Sequence, residues 1–145
     1  MIQVQDLCVG NWVYDGERTQ FPMFIRAIGE DYVYLDFEGN EGDLWESKPE
    51  DLVGIPITVE LLTKNGFADL KIEERKILAK KMTLSERKTI QVSHSVKYGT
   101  ATILELISGR EYDKLLESIM CNITFLHELQ NFYRLTTKQE LKINL

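Results

Sequence analysis

This 145-residue sequence predicts an α+β fold, on three observations. The first 57 residues break into short apolar runs separated by glycine turns. Residues 89–107 alternate in the same way, and residues 125–135 carry an apolar stripe at helical spacing. The length suits one domain or two small modules. At 43% hydrophobic residues, the chain can bury a core without covalent staples.

The strands come first. Residues 7–14 (LCVGNWVY) form a strand candidate interrupted by Gly10-Asn11, and Asp15-Gly16 is a turn signal. Residues 24–27 (FIRA) continue to a turn at Gly29-Glu30-Asp31. Residues 32–37 (YVYLDF) alternate cleanly and are rich in β-branched and aromatic side chains. An acidic, double-glycine loop (38–43) leads to a strand opening at Leu44-Trp45-Glu46, and residues 51–57 (DLVGIPI) close the unit. Such a tight succession of short strands predicts an SH3-like small β-barrel over residues 1–57.

Residues 58–145 read as a second module. Thr58 suits an N-cap and Gly66 a C′ position, so a short helix lies between them. Residues 69–88 fit a helix or a strand: Ile77, Leu78 and Met82 could share a helix face, and Thr83-x-x-Glu86 could be a capping box or a turn. Residues 89–98 and 101–107 form a hairpin through Gly99, and residues 111–120 fit a third strand better than a helix. A final helix, capped by Asn122 or Thr124, places Phe125, Leu126, Leu129, Phe132 and Tyr133 on one arc that packs on this small antiparallel sheet. Thr137-x-x-Glu140 suggests a capping box for a terminal turn or short helix.

His127, Gln130, Asn131 and Arg134 fall opposite that arc. The run His127-Glu128 opens like a zinc-protease helix, but the i+4 position holds Asn131, a poor zinc ligand, and His94 is the only other histidine. The four residues form either a solvated face or a polar docking face, since Gln and Asn offer paired donors and acceptors. On the docking-face account, replacing Gln130 and Asn131 with alanine is expected to leave stability nearly unchanged and to weaken partner binding. An EF-hand starting at Asp36 needs Gly at position six and Glu at twelve, where this chain has Glu41 and Ser47. Trp12, Tyr34 and Trp45 are the aromatic binding candidates of the barrel, although a barrel this small must turn part of its aromatic set inward. No phosphate loop, nucleophile elbow or deaminase pattern occurs, so neither an enzyme nor a metal or other cofactor is expected.

Charge narrows the partners. The net charge of −6 divides into −9 for residues 1–57 (three basic, twelve acidic) and +3 for residues 58–145 (fourteen basic, eleven acidic). The front half repels phosphate backbones. Nucleic acid is left only the basic segment 71–88, which Glu73, Glu74 and Glu86 interrupt. The opposed charges also leave a homo-oligomer open. Cys8 and Cys121 have neither metal nor redox spacing, the amino terminus lacks a signal peptide's basic and apolar regions, and no apolar run reaches the roughly 20 residues of a membrane span. A cytoplasmic protein without membrane contact is expected.

Three stretches carry a resemblance: Leu7-Cys-Val-Gly-Asn-Trp-Val13, Pro56 to Phe67 (PITVELLTKNGF), and Leu126 to Leu141 (LHELQNFYRLTTKQEL). Together they resemble a family of small uncharacterised proteins from phages, prophages and mobile elements of Bacteroides-like bacteria. The resemblance implies a genomic setting and no activity. The expectation is therefore a non-enzymatic accessory or adaptor protein that binds an unidentified protein partner, with nucleic-acid binding through 71–88 as the alternative.

Overall fold

The computed structural model describes residues 2–16, 21–72, 75–108 and 113–145. The fold is α+β, with two five-stranded antiparallel sheets and a C-terminal helix. The chain divides into two compact units. The first comprises Met1–Pro56 and the returning segment Phe125–Phe132; the second comprises Ile57–Thr124 and Tyr133–Leu145.

In the first unit, β1 (Trp12–Asp15), β2 (Pro22–Ile28), β3 (Val33–Asp36), β4 (Trp45–Ser47) and β5 (Leu52–Gly54) appear in the order β4-β3-β2-β1-β5. β1 to β4 are a meander, and the chain then passes through a 3-10 turn at Pro49–Asp51 and returns so that β5 pairs with β1. Each strand overlaps an expected one, but the first is confined to Trp12–Asp15: residues 7–11 lie outside it, and Asp15 ends the strand. The sheet stays open: β4 and β5 are its edges, and no ladder joins them among the described residues. Period-two alternation sends Val13, Met23, Ile25, Val33, Leu35 and Leu52 inward, each at most 3% exposed. A bulge between Ile25 and Ala27 bends β2.

The acidic loop is held by its own bonds. Asp36 accepts from the Phe37 N–H (2.9 Å), the Asn40 amide (2.9 Å) and Arg26 Nε (3.1 Å), while Asn40 Oδ1 accepts from the Gly42 N–H. The Asn40 bond foremost, with Arg26 and the Phe37 N–H, holds the Asp36 carboxyl below its usual range against the opposing cost of desolvation.

The second unit begins with α1 (Val59–Lys64), capped as its sequence predicts: Thr58 Oγ1 accepts from the Leu61 N–H, and Gly66 takes φ +84°. Its sheet, in the order β10-β9-β8-β7-β6, comprises β6 (Ala68–Asp69), β7 (Ile77–Ser85), β8 (Lys88–Ser95), β9 (Thr100–Ser108) and β10 (Asp113–Asn122). Within residues 69–88 the described elements are strands, the end of β6, all of β7 and the start of β8; Thr83-x-x-Glu86 is no capping box, since Thr83 to Ser85 end β7 and Glu86 lies in the turn that closes at Ser85↔Lys88. β10 confirms the third strand, although Glu111 and Tyr112 lie outside the described residues.

The C-terminal helix, α2, spans Leu126–Thr137. It starts later than a cap at Asn122 allows, since Asn122 ends β10; at its N-terminus Glu128 Oε2 accepts from the Phe125 N–H. Of the terminal turn or short helix expected after Thr137, no helix forms, and the chain only turns. Thr137 Oγ1 instead donates to the Tyr133 carbonyl and accepts from the Gln139 N–H, and Lys138 turns the chain with φ +60°. Glu140 pairs with Arg134. Asn65 secures the segment that follows: its side-chain amide donates to the Asn144 carbonyl and accepts from the Asn144 N–H.

Candidate functional site

The polar residues predicted to form an outer face of α2 are largely buried. His127 is 2% and Gln130 8% exposed, and Asn131 is half-buried. Gln130 Nε2 donates to the Gly10 carbonyl (3.0 Å), and its Oε1 accepts from the Trp12 N–H (2.9 Å). One carboxamide therefore engages a carbonyl just ahead of β1 and the N–H of its first residue, Trp12, one residue short of the Val13↔Gly54 pair that ends the β1–β5 ladder. Asn131 donates to the Asp6 carbonyl (2.6 Å) and accepts from Asn11 Nδ2 (2.9 Å), while Asn11 Oδ1 accepts from the Cys8 N–H. These amides stitch the returning segment to residues 6–12. They are occupied in holding the unit together, which corrects the expectation of a solvated or docking face. Arg134, counted with the second unit, pairs with Glu140.

The aromatic candidates are all half-buried. Trp12 packs edge-on against Phe24, with ring centroids 5.1 Å apart. Trp45 donates its indole N–H to Asp15 Oδ2 at 2.7 Å and packs on the first unit's core. Tyr34 lies on β3 opposite Ala27 and Glu46. Among the described residues of the unit, the most exposed large apolar side chain is Phe21, at 72%.

What the unit does offer is a cleft of about 390 Å³ beside β5. All three residues of that edge strand line it, and Ile2 and Phe125 add apolar wall. Asp6, Glu50 and Glu128 bring carboxylates to it. His127 lies against it with its ring nearly parallel to that of Phe125 (11°, centroids 5.9 Å apart). The His127 Nδ1 atom is buried and has no hydrogen-bond partner among the described residues. Burial pushes this imidazole's pKa below its ordinary value, outweighing the opposing pull of Glu128 and Asp6, so it is neutral at pH 7.

Several elements produce this shape. The 3-10 turn sets Glu50 just ahead of β5, and Gly54 lets the Phe125 ring approach, because a Cβ there would stand 2.5 Å from Phe125 Cγ. The Pro56↔Phe125 bridge and the Leu126 N–H to Ile55 carbonyl bond fix the start of α2 beside the end of β5. Among the described residues, no group of three or more His, Cys, Asp or Glu is arranged to hold a metal ion. Apolar walls with spaced carboxylates suit an organic cation, whose charge meets the acids while its carbon atoms cover the walls.

Sequence inspection passed over Asp6, Glu50, Phe125 and Glu128 as site residues, because no local spacing connects them. The available signal was coarse: the excess of acid in the first 57 residues.

No protein-family model matches this chain, and no match is found among curated proteins or solved structures.

Proposed function

We propose that this chain is a non-enzymatic accessory or adaptor protein of a phage or other mobile element, acting in the cytoplasm by binding another protein. The observation that carries the proposal is the carboxylate-lined cleft in the first unit. That unit holds three basic against thirteen acidic residues, a net charge of −10. A concave acidic surface attracts a basic protein surface and repels a phosphate backbone. The strand order β4-β3-β2-β1-β5, with a 3-10 turn just before β5, supports placing this unit among the SH3-like small barrels. The motif resemblance supports the mobile-element setting. No helix among the described residues is long and apolar enough to cross a membrane.

Nucleic-acid binding through residues 71–88 has weaker support. Strand geometry turns Lys80 and Lys81 to opposite faces of β7. Lys80 Nζ donates to the Asn65 carbonyl, and Lys88 pairs with Glu105 at 2.5 Å. Lys80 and Lys88 are therefore engaged, and Lys81 faces away from Lys80.

Capture of partners by the tagged full chain from a host lysate, with and without nuclease, tests the proposal. A protein retained after nuclease treatment, and released as salt rises, is expected. Material that disappears with nuclease would move the function to the basic segment.

A further inference from the structure

We propose that the cleft beside β5 is the anchoring pocket for an arginine side chain of the protein partner. This rests on the protein-binding function proposed above and names the chemistry that the partner must present.

Asp6, Glu50 and Glu128 supply negative charge from three separate parts of the chain, so the site is more than one acidic run. His127 gives an independent indication of a ligand. It is 98% buried, as its 2% exposure implies, it lies against the cleft, and its Nδ1 has no hydrogen-bond partner among the described residues. Leaving such a polar atom unpaired costs folding free energy, and a bound donor or an accompanying water would offset it. A volume of about 390 Å³ lies within the range of roughly 300–1,000 Å³ common for ligand sites. It admits a long side chain together with adjoining main chain.

Arginine suits these walls better than lysine. Its aliphatic stem can lie along the exposed Val53, and its planar cation can stack on the Phe125 ring, which a compact ammonium does less well. Its five N–H groups can serve several carboxylates at once, and it is less strongly hydrated than an ammonium, so entering an apolar-walled cleft costs it less. The cleft follows an edge strand, so the main chain flanking the arginine can run extended beside β5.

The test is a titration of the full chain with N-acetyl-arginine-N′-methylamide, followed by amide and imidazole NMR shifts. The uncharged citrulline analogue and the lysine analogue are run in parallel. Saturable shifts centred on Gly54, Phe125, His127 and Glu128 are expected with arginine, smaller ones with lysine, and none with citrulline. The double variant Asp6→Asn/Glu50→Gln changes two exposed residues, so its fold should persist; its affinity for the arginine probe should fall by about tenfold or more. An equal response to citrulline, no saturable shift, or an unchanged affinity in a folded double variant would each overturn the proposal. Lysate capture with the same double variant separates the two levels. A nuclease-resistant protein bound equally by wild type and variant would refute the arginine pocket while sustaining the adaptor function. Failure of the wild type to retain any protein would refute the adaptor function itself.

Discussion

Asn11 and Asn131 are joined side chain to side chain at 2.9 Å, across 120 residues of sequence. The bond unites the stretch containing Gly10-Asn11 with the one containing Gln130-Asn131. Beside it, Gln130 engages Gly10 and Trp12 through backbone bonds. Far from forming an outer recognition face, these amides close the first unit around its returning segment.

Gln130→Ala should therefore destabilise the protein by about 1–3 kcal/mol, because it leaves the half-buried Gly10 carbonyl and Trp12 N–H without their side-chain partner. Gln130→Glu should also destabilise it, since a carboxylate would oppose the Gly10 carbonyl where the amide donated. Urea unfolding followed by tryptophan fluorescence measures both. Near-wild-type stability in Gln130→Ala would show that the amide is not a structural clamp. Asn11→Ala and Asn131→Ala, measured singly and together, should be non-additive, as residues sharing a bond are.

Gly54→Ala should cost about 1–3 kcal/mol. The added Cβ would lie 2.5 Å from Phe125 Cγ and 2.9 Å from Phe125 Cβ, and the Pro56↔Phe125 bridge restrains the backbone behind that ring. The penalty should shrink in a Phe125→Ala background, where the obstructing ring is absent. A double-mutant cycle on unfolding free energy checks this. Equal penalties in both backgrounds would mean that the ring is not what confines position 54.

Much of the fold was legible because burial imposed a clear period. The alternation of residues 32–37 marked β3, and Thr58 with Gly66 bracketed α1 in their predicted roles. Residues 69–88 were not legible, since Lys80-Lys81 breaks the alternation and the pairing that makes β7 a strand is contributed by β6 and β8. The helical wheel of α2 located its apolar arc correctly. It misplaced His127 and Gln130 because a wheel assumes that polar means outward. Here Gly10, Asn11 and Trp12 offer the backbone and side-chain partners that make burial of the polar side favourable. The cleft drew its carboxylates from positions 6, 50 and 128, and only tertiary structure could assemble them.

Lys138→Gly should stabilise the protein by about 0.5–1 kcal/mol. Lys138 sits just past α2 with φ +60°, where a Cβ is unfavourable, and its N–H accepts no change because it still donates to the Arg134 carbonyl. The lysine side chain is exposed, so little packing is lost on its removal. Thermal unfolding would register a higher midpoint. A lower one would show that the side chain contributes more than the strained backbone takes away.

Acid should weaken the fold in two stages. Burial pushes the pKa of both His94 and His127 below the ordinary 6.5; at His94 the bond to the Ile123 carbonyl opposes this only in part. An unfolded histidine then binds its proton first, so stability holds above pH 6.5 and falls as the pH descends from there toward the folded values. The slope contributed by each histidine cannot exceed about 1.4 kcal/mol per pH unit. Asp36 adds a second stage. Its folded pKa lies below the ordinary 3.8, so its contribution is complete above that value and is lost as the pH falls through the folded one. Urea midpoints between pH 8 and pH 3 should therefore show one decline beginning near 6.5 and another below 4. His94→Gln should flatten the first decline, whatever its effect on stability at pH 8, while Asp36→Asn should remove part of the second. A wild-type profile level from pH 8 to pH 5 would mean that both imidazoles are protonated as readily in the folded protein as in the unfolded chain.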